Sequence, residues 1–195
     1  MMTTLYFVRH AQPDYRQGNN RTFALSEEGR ADRLLAAAVL EGVNFDIAVS
    51  SPYTRSIETI EPVITAKGLR LETDERLRER DNNGGGSNSH EMFRRRWADF
   101  DFHEENGESL RSTQQRNVAA VFDILDKYEG KTVLVGTHGT ALATIINYFR
   151  PDFLYDGFMR IIDYMPYVLR ADFEGRELKD TEELFYLQKE FHGVK

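Results

Sequence analysis

The feature that most restricts the fold of this chain is a pair of short, continuously apolar runs, TTLYFV at residues 3–8 and TVLVGT at 132–137. Both are rich in β-branched and aromatic side chains and neither has a helical period, so each predicts a strand. A strand without a polar face must be covered on both sides. That demand selects a sheet with helices above and below it.

The sequence between the two runs supplies such helices. LSEEGRADRLLAAAVLEG, residues 25–42, predicts one capped by Ser26 and stopped at Gly42, with Leu34, Leu35, Ala38 and Val39 as its inward stripe. FDIAVS at 45–50 predicts a second strand, followed by a helix with Ser51 near its cap and Pro52 near its first turn. Pro62 is expected to kink or interrupt that helix. A short strand at 69–74 leads into a polar, glycine-rich loop, LRERDNNGGGSNSH. Two helices follow, one with Met92, Phe93, Trp97 and Phe100 on one face, the other amphipathic through Leu110, Val118, Val121, Phe122 and Leu125. A helix over ALATIINYF comes directly after the 132–137 strand, and residues 166–187 predict a hairpin turning near Glu174 and Gly175. Strands alternating with helices make an α/β fold of three layers, α/β/α, with a mainly parallel central sheet. With no repeat or linker to divide it, residues 1–195 are expected to form a single domain.

Bulk composition narrows the function classes. Of 195 residues, 41% are hydrophobic and 29% charged, and no window approaches the roughly 18 apolar residues of a membrane span. The N-terminus lacks a basic region followed by an apolar stretch, and cysteine is absent, so a cytoplasmic location is expected. A formal charge of −7 argues against a nucleic-acid partner. It leaves room for a small anionic ligand held by a local group of arginines, and says nothing of the oligomeric state.

In open α/β sheets, ligands bind beyond the carboxyl ends of the strands. Polar residues cluster at four such ends: Arg9 and His10, then Ser50, Ser51 and Arg55, then Glu79, then His138. Two arginines, two histidines and a carboxyl group suit phosphoryl transfer. Guanidinium groups bind phosphate bidentately and hold their charge. A neutral imidazole is a nucleophile, and neighbouring arginines keep it neutral. A carboxyl group can protonate the leaving oxygen. Glu75 and Glu108 are alternatives to Glu79 for that role, and Arg55 could instead pair with Glu58 or Glu61 on its own helix.

With these residues in view, the chain resembles the histidine phosphatase superfamily, the phosphoglycerate mutase-like family. VRHAQ at 8–12 matches its Arg-His-Gly signature with Ala11 in place of glycine. LSEEGRADR, SSPYTRSIET, LRERD, ENGES at 105–109 and VGTHGT match further motifs in family order, over residues 5 to about 146. The resemblance implies that His10 becomes phosphohistidine, that Arg9, Arg55 and His138 form the phosphate pocket, and that Glu79 is the acid for the leaving group and the base for water. It implies no metal and no cofactor, and a small phosphorylated metabolite as substrate. A phosphomonoester hydrolase is the leading expectation. A mutase, a phosphohistidine-protein phosphatase and a non-catalytic phosphate-ester-binding module are the alternatives, the glycolytic mutases being expected to be longer chains. Ala11 is expected to have φ below zero, since a side chain is strained at positive φ. Arg94, Arg95 and Arg96, opposite Phe93 and Trp97, are expected to face solvent. His90, His103 and His192 lack a metal-ligand spacing.

Overall fold

The computed structural model describes residues 1–16, 18–83 and 88–189. Six strands lie in one sheet in the order β3-β2-β4-β1-β5-β6. They are β1 Met2–Arg9, β2 Ile47–Ser50, β3 Leu71–Thr73, β4 Thr132–Thr137, β5 Tyr164–Glu174 and β6 Glu177–Gln188. The first four in chain order run parallel, as expected. The hairpin turns at Gly175, whose φ of +58 suits a residue without a Cβ, and adds β5 and β6 antiparallel beyond β1. His192 and residues 84–87 of the glycine-rich loop lie outside the described residues.

Helices cover both faces: α1 Glu27–Val39, α2 Thr54–Lys67, α3 His90–Ala98, α4 Leu110–Lys127, α5 Gly139–Phe149 and α6 Tyr155–Ile161. Successive side chains on a strand point to opposite faces. In β4, Val133 and Val135 accordingly pack with Val121, Leu142 and Ile145 of α4 and α5, while Leu134 joins Ala36, Ile60 and Val63 of α1 and α2. Each such side chain removed from water stabilises the fold by about 1.5–3 kcal/mol, which is why both faces must be covered.

Two local expectations are corrected. Leu34, Leu35, Ala38 and Val39 are exposed, and α1 buries Gly29, Asp32 and Ala36 instead. A Cβ at position 29 would stand 2.2 Å from the Gln12 carbonyl oxygen. This contact sets how α1 is rotated, so the small residues face inward and the leucines outward. Pro62 neither breaks nor ends α2. Proline removes the bond to the carbonyl four residues earlier, and that carbonyl, of Glu58, accepts from Arg33 Nη1 at 2.6 Å. Ser51 lies near the start of α2 as expected: Tyr53 occupies the N-cap position without a side-chain cap bond, and its amide donates to Ser51 Oγ at 3.3 Å. The short α6 carries no predicted pattern, having a glycine inside it and no side-chain cap.

Candidate active site

Strand register brings the predicted residues together. Arg9 pairs with Thr137 and Ser50 with Gly136, so His10, Ser51 and His138 leave the sheet at one level. The His10 amide donates to the Thr137 carbonyl at 3.2 Å and that of Ser51 to Gly136 at 3.0 Å. The two imidazoles meet edge to face, with centroids 5.2 Å apart. Glu79 arrives from an irregular stretch after a 3₁₀ turn at Glu75–Leu77 and reaches the start of α5. Its carboxylate accepts from the backbone amides of Thr140 at 3.0 Å, Ala141 at 3.1 Å and Arg80 at 2.7 Å. A carboxylate there meets the positive end of the helix dipole.

His10 is held in one tautomer. Its Nδ1 lies 2.8 Å from the Ala11 carbonyl oxygen, which only accepts, so Nδ1 carries the proton and Nε2 keeps a lone pair. Burial, then Arg55 and Arg9, push its pKa well below the ordinary histidine value, so the ring is neutral near pH 7. His138 is fully buried at the N-cap of α5, with Nε2 2.7 Å from Ser51 Oγ. Burial, Arg55 and His10 likewise push it well down.

Two buried guanidinium groups flank the nucleophile candidate. Arg9 donates from Nη1 to the Ile161 carbonyl at the end of α6, at 2.7 Å, and lies against Gly139, where a Cβ would come within 3.0 Å of it. Arg55 is held by Asn20, through its backbone carbonyl and, at 3.0 Å, through Oδ1. It pairs with neither Glu58 nor Glu61: Glu58 accepts from the Leu25 amide and Glu61 from Arg33. The Nε of both arginines is buried with no acceptor among the described residues. Buried charged donors without partners are costly, and an anion between them would satisfy both. Arg9, His10, Arg55 and Glu79 open on a cavity of about 680 Å³, whose outer wall includes Tyr15, Phe23, Phe93 and Trp97. His138 lies behind His10 and is not part of that wall.

Of the other carboxylates, Glu75 is at the surface with Arg21, and Glu108 is tied to Arg78 and Arg116, so neither faces the cavity. The expectation for Arg94–Arg96 holds for two of the three. Arg94 and Arg95 are exposed, but Arg96 is buried, shares Glu104 with Arg80, and lines the cavity. A helix of nine residues, wedged between a core and a cavity, buries two faces, and sequence period alone marks only the apolar one. Ala11 is not among the residues with positive φ; it is fully buried, and its amide donates to Thr59 Oγ1 at 3.0 Å. No group of three or more His, Asp or Glu side chains is arranged to hold a metal ion among the described residues. Among those residues no helix is long and apolar enough to cross a membrane.

Asn20 holds Arg55, the Ile161 carbonyl holds Arg9, Ser51 meets His138 and Thr59 fixes the backbone amide of Ala11, yet sequence reading assigned none of them such a role. Ser51 and Thr59 lie inside the SSPYTRSIET motif, a usable signal. Asn20 sits in an unpatterned loop and Ile161 acts through its backbone, which leaves no side-chain signature.

A family model described as histidine phosphatase superfamily (branch 1) matches residues 5–161. A 2,3-bisphosphoglycerate-dependent phosphoglycerate mutase of Mesorhizobium japonicum is 30% identical over 166 residues, covering 75% of this chain and 81% of that one. The enzyme of the same name from Rhizobium meliloti is 32% identical over 166 residues, covering 75% and 79%. These shares show relatives of similar length, so the expected greater length of mutases does not separate them from this chain. Among solved structures, Bacillus stearothermophilus YhfR superposes with a TM-score of 0.74 at 27% identity, over 99% of this chain and 98% of that one. A mycobacterial glucosyl-3-phosphoglycerate phosphatase superposes at 0.71 with 19% identity over the full length of both, a likeness of fold. With a family model matching residues 5–161 and relatives at 30% and 32% identity, the chain belongs to the histidine phosphatase superfamily.

Proposed function

We propose that this protein is a metal-independent phosphomonoester hydrolase of one domain, acting on a small phosphorylated metabolite through a phosphohistidine on His10. The observation that carries the reading is a neutral imidazole with its proton fixed on Nδ1, beside two buried arginines whose Nε donors lack a partner. Arg9 and Arg55 bind the phosphate and offset charge on its equatorial oxygens, and His138 shapes the pocket from behind. Nε2 of His10 attacks phosphorus in line as the bond to the leaving oxygen breaks, and Glu79, carrying the proton that a monoanionic ester brings into the site, protonates that oxygen. Glu79, now a carboxylate, takes a proton from water, which attacks phosphorus and releases inorganic phosphate and neutral His10.

Release of phosphate from p-nitrophenyl phosphate, abolished by His10→Ala, tests the reading; no turnover from pH 4 to 9 would sink it. Acid-labile, base-stable ³²P on His10 tests the covalent step. A second reading, a mutase, is favoured by the names of the curated relatives. In that case the phosphoryl group returns to an organic hydroxyl, and transfer between the 2 and 3 positions of phosphoglycerate would exceed hydrolysis.

A further inference from the structure

Glu79 has a difficulty that the other site residues lack. Arg9 ends a strand and His138 caps a helix, so regular backbone hydrogen bonds fix both. Glu79 lies beyond a three-residue 3₁₀ turn, in backbone without ladder or helix of its own. Something outside the segment must hold it.

The α5 amides meet its carboxyl group, and the backbone behind it is held by Arg116, on α4. Its Nε and Nη2 grip the Glu108 carboxylate at 2.9 and 2.8 Å. On its other edge, Nη1 donates to the carbonyls of Arg76 and Arg78, each at 2.7 Å, and Nη2 also donates to that of Glu79 at 3.0 Å. Every nitrogen of a planar, rigid fork is therefore engaged, which lysine cannot reproduce. Glu108 completes the clamp. Its carboxylate accepts from the Asp81 amide at 2.9 Å and from Arg78 at 2.8 Å, and its own amide donates to the Asp81 carbonyl at 2.7 Å. Backbone on both sides of Glu79 is thus tied to one ion pair borne by a distant part of the chain. Neither member lines the cavity.

We propose that Arg116 and Glu108 are positioning residues for the proton donor, holding the Glu79 carboxyl against the leaving-group oxygen. This rests on the reading of Glu79 as that donor. A displaced acid should slow phosphoryl transfer only where the leaving oxygen needs a proton. General acid catalysis contributes on the order of 10²–10⁴-fold, and a small misplacement forfeits much of it.

The test is the rate of His10 phosphorylation, measured by rapid quench with an alkyl phosphate and with p-nitrophenyl phosphate, whose leaving group departs unprotonated. Arg116→Lys and Glu108→Gln should each slow the alkyl ester by about 100-fold, and the nitrophenyl ester by less than about threefold. An equal fall with both esters means a general structural role and overturns the proposal, as does no fall with either. Partial misfolding lowers both rates alike, so their ratio is the readout. Glu79→Gln separates the two claims. If it shows no leaving-group dependence, the acid assignment has failed; if it does and the clamp variants do not, only the clamp has. In the Glu79→Gln background, Arg116→Lys should cost nothing further with the alkyl ester.

Discussion

Acid should destabilise this protein well before its carboxylates titrate. His10 and His138 are buried, and both have pKa values pushed well below 6.5, chiefly by burial and secondly by Arg55. In the unfolded chain each regains an ordinary pKa near 6.5. Below that pH the unfolded state binds protons that the folded state refuses, so unfolding becomes easier as pH falls. Each histidine then removes at most about 1.4 kcal/mol of stability by pH 5.5, and the pair at most about 3 kcal/mol. That is a large share of the roughly 5–15 kcal/mol that a domain possesses. Urea unfolding between pH 7.5 and 5.5, in phosphate-free buffer, should show this slope. Replacing either histidine by glutamine should remove about half of it. A wild-type stability flat over that range, or an undiminished slope in both variants, would refute the claim that the rings are held neutral.

Three substitutions test the packing that serves the site. Gly139→Ala places a Cβ 3.0 Å from the Arg9 guanidinium, and should lower kcat/KM for p-nitrophenyl phosphate on the order of 100-fold through a displaced phosphate ligand; a change under twofold would contradict it. Gly29→Ala collides with the Gln12 carbonyl and should cost about 1–3 kcal/mol in urea unfolding, whereas a neutral result would mean that this contact does not set the rotation of α1. At position 11 a glycine is not required, since Ala11 avoids positive φ and its methyl is buried. Ala11→Gly should therefore lose about 1–2 kcal/mol of stability, and a gain would show the alanine to be strained.

Position in the sequence was enough for the strands and for the residues at their ends, because a continuously apolar run admits few other structures and its first polar residue marks the rim. Arg9, His10 and His138 were legible in this way, whereas Arg55, in the first turn of α2, and Glu79, beyond the partly exposed β3, were picked out by the order of the motifs. What their neighbours do was not. The tautomer of His10 depends on the Ala11 carbonyl, and the aim of Arg9 on a carbonyl of α6, a helix without a pattern. Of Glu75, Glu79 and Glu108, it is Glu79 whose carboxylate reaches the start of α5 and the cavity, a contact spanning more than sixty residues. The inward face of α1 was misread for a related reason: apolar spacing identifies a helix, but a backbone contact at Gly29 decides how it is turned.

Local sequence thus determined the strand–helix alternation and the five charged or titratable groups at or beyond the strand ends, since these follow from burial and side-chain chemistry within a few residues. Tertiary structure alone decided the neutrality of the two histidines, the orientation of the site residues and the clamp of Arg116 and Glu108 on the backbone around Glu79. Those depend on backbone carbonyls and amides brought together from distant segments, and every residue but proline carries the same pair of them.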